Sequence, residues 1–372
     1  MPDDKVPTLS ELAETRPTRR DFLIRSTAIG ALGPLAFAAC DFDKTADKAG
    51  GSASGTTQQS GNVTAIRNAD SKLDTGGHAN IHQATAVVPA NNVAFHRFDP
   101  VMPPVARDRT TRLQFKAQEV PIRIADDATI SAWTFEGDIP GPIVHVKEGD
   151  TVEFTLVNQG SLPHSMDFHA SQINPKVAFR SVAPGQPVSY TFRARFPGAF
   201  MYHCGTSPVL MHIGSGMVGA LIVDPASPLP PAKEFVLVES EYYLGPAKSG
   251  VMPFDYSKML GTLPDYVVFN GRPGQYMAEP LKVKVGDRVR FYVVNCGPTH
   301  PCNFHVVGEQ FDTVYLGAPP TMPIRGVQTF AVAPGGGMIF EMLADIPGEF
   351  VFVNHGFGHG QKGAIGILSV EG

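Results

Sequence analysis

Cysteine is scarce, with four residues in a chain of 372. That is too few to staple a fold together with disulfides. A basic excess is also missing. The formal net charge of -5 argues against a nucleic-acid surface, which must neutralise phosphates. The apolar run at 28–39 falls short of the roughly 20 residues that a helical membrane span needs. No long stretch repeats its apolar residues at the helical spacing. What the chain does have is glycine (38) and proline (33), a composition suited to short strands joined by many turns. Its length exceeds what one compact domain needs, so two domains are expected.

The N-terminus reads as an address. Thr18-Arg19-Arg20-Asp21-Phe22-Leu23 is a twin-arginine export signal, and the apolar run follows it. Phe37-Ala38-Ala39-Cys40 resembles a lipoprotein cleavage box, in which Cys40 becomes the lipidated first residue. Ordinary cleavage after a small residue is the alternative. Residues 1–40 are thus a signal peptide, and 41–79 a flexible linker poor in large apolar residues. The expected destination is the periplasm or the cell-envelope surface, with a lipid anchor if Cys40 is modified.

Two stretches echo each other. IVHVKEGDTVEFTLVNQGSLPHSMDFH (143–169) and LKVKVGDRVRFYVVNCGPTHPCNFH (281–305) share an alternating strand, a Gly-Asp turn and a second strand ending in Asn. Each then has a Pro-containing loop that closes on Phe-His. Downstream, FPGAFMYHC (196–204) is echoed by IPGEFVFVNH (346–355). Apolar residues at every second position imply antiparallel sheet. The fold class is therefore all-β, with two tandem β-sandwiches at 80–225 and 232–372 that resemble Greek-key sandwiches of the cupredoxin type. The Pro-rich 225–232 segment is the junction.

The first domain carries His164, Cys204, His212 and Met217, a distant His combined with a Cys, His and Met on one loop. Imidazole and thiolate suit copper in both oxidation states, and a weak axial thioether tunes its potential. A lone buried Cys or Met is usually plain core, but the joint pattern is far more specific than its parts. A second set is interleaved with the first. His169 follows His164 by five residues, and His203 directly precedes Cys204. Neighbours on a strand face opposite ways, so Cys204 faces its own metal while His203 faces another. The bland reading of His203 is a surface histidine. Domain two has no Cys on its FVFVNH segment and no Met loop, yet keeps His305 and His355. Two imidazoles need a third to hold a metal that leaves one position open.

Over nearly all of 80–372 the chain resembles the copper nitrite reductases, through LPHSMDFH, YHCGTSPVLMHIGSGM, NFHVVG and FVNHG. The resemblance is to the short-loop, lipoprotein-like branch. It implies a type-1 copper on His164, Cys204, His212 and Met217. It also implies a type-2 copper on His169 and His203, with His355 from a neighbouring subunit, hence two coppers per subunit and a homotrimer. Asp167 and His305 match the family's catalytic Asp and His. Val307 stands where an Ile usually roofs the substrate site, which implies looser control of nitrite orientation. The implied reaction is the one-electron reduction of nitrite to nitric oxide, the chemistry of denitrification and nitrate assimilation. The electron donor would be a small protein, a cupredoxin or a cytochrome c.

Three features depart from the pattern. The loop from Cys204 to His212 is short, and the glycine-rich segment after His355 carries an extra His359 that reads as a surface residue. Cys296 and Cys302 lie outside the family motifs. In an oxidising compartment they can form a disulfide across their loop. Free thiols are the alternative, and a metal site with His300 and His305 is a third reading. A multicopper oxidase is disfavoured by a further absence: none of the 12 histidines forms a His-x-His pair, the form in which most ligands of a trinuclear cluster come. A pure electron carrier would leave His169, His203, His305, His355 and Asp167 without a reason.

Overall fold

The computed structural model describes residues 93–372, apart from 318 and 320. The export motif at Arg19 and Arg20, the lipidation candidate Cys40 and the 41–79 linker lie outside the described residues. So do the first residues of domain one. No helix among the described residues is long and apolar enough to cross a membrane.

The alternation in the sequence becomes sheet. In β4 (Thr151–Asn158) every second residue is buried, so Val152, Phe154 and Leu156 face the core and their neighbours do not. One sheet of the first sandwich orders β2 (Ala128–Phe135), β1 (Thr110–Ala125), β4 and β6 (Pro187–Arg193). The other orders β3 (Val144–Lys147), β8 (Val218–Asp224), β7 (Gly198–His203) and β5 (Asp167–Phe168). The second sandwich has a six-stranded sheet in the order β10 (Tyr266–Phe269), β9 (Lys233–Tyr242), β12 (Arg288–Asn295), β17 (Gly337–Leu343), β14 (Phe311–Tyr315), β15 (Ile324–Val327). Facing it are β11 (Glu279–Lys284), β19 (Ile365–Glu371), β18 (Gly348–Asn354), β13 (Cys302–Val306) and β16 (Thr329–Val332). The repeat survives in the pairing. β1 runs parallel to β4 as β9 does to β12, and β3 runs parallel to β8 as β11 does to β19.

β12 breaks the half-buried pattern, because it is buried on both faces. Phe291 and Val293 enter the core of the second sandwich, whereas Tyr292 and Val294 join the core of the first. The β9–β12–β17 sheet is thus a wall shared by two cores. This wall corrects one expectation. Cys296 continues the β12 face that packs into the first core, and Cys302 opens β13 inside the second. The two thiols lie in different cores, and both are free. No disulfide spans the loop.

Close contact between the sandwiches also sets β7. Gly337, at the start of β17, lies against Ala199 of β7, where an added Cβ would come within 2.3 Å of the Ala199 carbonyl oxygen. Gly337→Ala is therefore expected to lower stability by about 1–3 kcal/mol through overpacking. Thermal unfolding measures this, and an unchanged Tm would mean that the strands part freely here.

Candidate metal centres

The loop between β7 and β8 builds the first site. It holds a short helix, α2 (Val209–Gly214), the second in the described chain after α1 (Pro175–Ala178). The Cys204 amide donates to the Met217 carbonyl at 3.1 Å, and the Met217 amide donates to the His212 carbonyl at 3.1 Å. These bonds fold the loop back on itself and draw together the backbone at its three donors, Cys204, His212 and Met217. His164 comes from the other side, where its backbone bridges to Val182 in both directions. Cys204, His164 and Met217 are fully buried, and His212 nearly so.

The donor atoms converge. His212 Nδ1 lies 3.3 Å from Cys204 Sγ, His164 Nδ1 lies 3.9 Å from it, and the two Nδ1 atoms are 3.3 Å apart. On its far side, His164 Nε2 meets Glu119 Oε1 at 3.1 Å. A carboxylate accepts, so Nε2 carries a proton, and Nδ1 is the nitrogen turned toward the sulfur. The Ser165 amide also donates to Sγ, at 3.3 Å. Burial would push the Cys204 thiol up, but His164 and His212 more than offset it and hold the group well below its ordinary value. A buried thiolate between two imidazoles fits a soft or borderline cation such as copper. Trp133 packs edge-on to His212, with ring centroids 4.9 Å apart.

The second site lies on the opposite face of β7. His203 Nε2 and His169 Nε2 are 3.1 Å apart. Their other nitrogens are both committed. His203 Nδ1 donates to the Cys204 carbonyl at 2.9 Å, and His169 Nδ1 to the Gly335 carbonyl at 2.9 Å. A carbonyl only accepts, so each Nδ1 bears the proton and each Nε2 offers a lone pair. Two lone pairs aimed at one point repel unless a cation stands between them, which is the arrangement of metal-ligating imidazoles. Asp167 sits directly across the β5–β7 ladder from His203, its Oδ2 3.8 Å from His203 Nε2. Burial raises the Asp167 carboxyl above its ordinary value although two imidazoles oppose this. Burial, reinforced by neighbouring His203, lowers His169.

His305 and His355 form a separate pair in the second sandwich, ring centroids 5.1 Å apart. His305 Nδ1 donates to the Gln328 carbonyl at 2.6 Å. His355 is exposed, with Phe357 against its ring. Val307, two residues past His305, is 46% exposed. Among the described residues the clusters of potential ligands are His164 with Cys204 and His212, and Asp167 with His169 and His203. His355 belongs to neither.

Sequence reasoning missed several members of these sites. Glu119, the partner of His164, lies 45 residues upstream of it and in no motif. The carbonyls of Gly335 and Gln328, which set two imidazole tautomers, come from backbone that any residue supplies, so no side-chain signal could find them.

Two β-sandwiches of cupredoxin type, one holding a buried thiolate between two imidazoles, define a copper protein. Residues 116–228 and 233–369 each match a family model described as multicopper oxidase. The chain is 40% identical over 284 residues to a copper-containing nitrite reductase of Neisseria meningitidis serogroup A, covering 73% of each chain. It is 33% identical to that of Cereibacter sphaeroides, over 68% of this chain and 74% of the other. A copper nitrite reductase structure from Nitrosomonas europaea superposes with a TM-score of 0.66 at 36% identity, over 70% of this chain and 94% of that one. The protein belongs to the family of copper-containing nitrite reductases.

Proposed function

We propose that this protein reduces nitrite to nitric oxide with two coppers per chain, one of type 1 and one of type 2. The observation that carries the reading is the dipeptide His203-Cys204. The Cys204 sulfur enters the buried site while the His203 imidazole enters the open one, so a short covalent path joins two donor sets. When bound, the buried copper would carry one electron, and the open one would offer nitrite a Lewis-acid position.

The reaction consumes one electron and two protons and releases water. Asp167 stands beside the paired imidazoles without being locked in an ion pair of short range, so it can bond an oxygen of nitrite and hand over a proton. His305 is the second proton source. Its Nδ1 is fixed on the Gln328 carbonyl, which leaves Nε2 as the working atom. His355, exposed and apart from His169 and His203 in its own chain, would serve a neighbouring subunit. That requires a symmetric assembly, a homotrimer in this reading. Export by the twin-arginine route, a lipid anchor at Cys40 and a cupredoxin or cytochrome c as electron donor complete the proposal. Val307 would roof the nitrite site.

Copper quantification with electron paramagnetic resonance tests both sites together. Two coppers per chain with distinct signals, and nitric oxide formed from nitrite with a reduced dye, are expected. One copper per chain and no turnover would identify an electron carrier instead.

A further inference from the structure

The two sandwiches match closely enough to be compared residue by residue. In the parallel β1–β4 pair Ala117 lies opposite Asn158, and in the β9–β12 pair Glu239 lies opposite Asn295. Two residues further on, Glu119 corresponds to Glu241. Glu119 backs His164, and Glu241 lies 3.3 Å from Nδ1 of His300. The loop that closes the copper pocket repeats as well. The Asn354 amide donates to the Ala364 carbonyl at 3.0 Å, and the Ala364 amide donates to the His359 carbonyl at 3.2 Å. These are the bonds that Cys204, Met217 and His212 make. Asn354 therefore stands in the place of the thiolate, Ala364 in that of the thioether, and His359 in that of the second imidazole. Even the ring pair persists, with His300 and His359 centroids 4.8 Å apart against 5.2 Å for His164 and His212. The second sandwich keeps the outline of a thiolate copper pocket from which both sulfur donors are gone.

A carboxyl group fills the hole. Glu239 is fully buried where the first sandwich has the small Ala117. The Asn354 side-chain amide donates to both Glu239 oxygens at 3.1 Å and to the Pro301 carbonyl at 3.2 Å. Asn354 Oδ1 accepts from the Gly356 amide at 3.0 Å and the Asn303 amide at 3.2 Å. His355 stands between Asn354 and Gly356, its own amide donating to the Asn303 carbonyl at 2.7 Å. Burial pushes the Glu239 carboxyl up to about 8, so at neutral pH it is mostly uncharged and needs no counter-ion.

We propose that this converted pocket has given up its metal and instead positions His355: Glu239 grips Asn354, and Asn354 fixes the turn at 354–356 that presents the imidazole. Glu239 is a positioning residue, and the inference rests on the reading of His355 as the third ligand of the open copper. Loss of an outer partner of a ligating His typically weakens metal binding about 10–100-fold.

The test uses the copper-loaded full chain with Glu239→Met, Glu239→Gln and Asn354→Ala. Each variant is challenged with a chelator while the open-site resonance signal, the visible band of the thiolate copper and total metal are recorded. Glu239→Met and Asn354→Ala are expected to lose the open-site copper about 10–100-fold more readily, with the visible band intact. Glu239→Gln, whose amide oxygen still accepts from Asn354, is expected to retain it like the wild type. If Glu239→Met does not fold, Asn354→Ala carries the test. Wild-type retention in both disruptive variants overturns the proposal. So does a third metal ion per chain that His300→Ala removes. A wild type that holds one copper instead brings down the underlying reading of His355, a distinguishable failure.

Discussion

Replacing Cys204 by serine is expected to abolish the visible band and stop nitrite turnover driven by a protein donor, while the open-site copper stays bound. Serine nearly matches the side chain in size, so the fully buried position tolerates it. What it lacks is an ionised sulfur. Two imidazoles hold the thiol of Cys204 well below its ordinary value against the pull of burial, but a hydroxyl starts far too high for them to ionise. Without the anion the pocket keeps two neutral nitrogens, a poor home for a redox copper. His203 remains on β7 with Nδ1 on the backbone carbonyl of residue 204, and serine supplies that same carbonyl. The pairing with His169 should therefore survive. Visible absorption, the two resonance signals and donor-driven turnover measure the outcome. A Cys204→Ser protein that stays coloured, or still takes electrons from the donor, sinks the assignment of the electron-entry site.

Asp167→Asn is the second large effect. Asn keeps the shape and can still donate a hydrogen bond, but it has no acidic proton to give. Loss of a positioned general acid costs about 10²–10⁴-fold in kcat. Copper content should be unchanged, because Asp167 Oδ2 stands 3.8 Å from His203 Nε2 while the two imidazoles meet at 3.1 Å. The pH profile carries the sign. Burial raises the Asp167 carboxyl, so its protonated form extends to higher pH than for an ordinary aspartate. Wild-type turnover therefore climbs as pH falls toward that raised value, and the Asn variant should lose this climb. Undiminished kcat in Asp167→Asn, or loss of copper from it, would remove Asp167 from the proton path.

Much of this was legible in the sequence, for physical reasons. Period-2 burial in strands such as β4 writes itself into the chain, and the repeat marked two sandwiches. Metal donors are few in kind, so His164, Cys204, His212, His169 and His203 stood out by type and spacing. Legibility failed where a residue's role depends on what lies behind it. Glu119 looks like any strand carboxylate until His164 is seen against it. Cys296 and Cys302 are close in sequence, but Cys296 extends a strand buried on both sides into the first core while Cys302 opens the next strand inside the second. His359 read as a surface residue, yet its ring lies half-buried against His300. Glu239 carried no signal at all, because the space it fills exists only once the second sandwich is laid over the first.

The wall formed by β9, β12 and β17 has a consequence for descent. Tyr292 and Val294 belong to the second half of the chain but are solvated only if the first half is taken away. A gene cut at the proline-rich junction would encode two fragments, each with a greasy flank and a tendency to clump. Any lineage that split the gene there would have to cover both flanks anew.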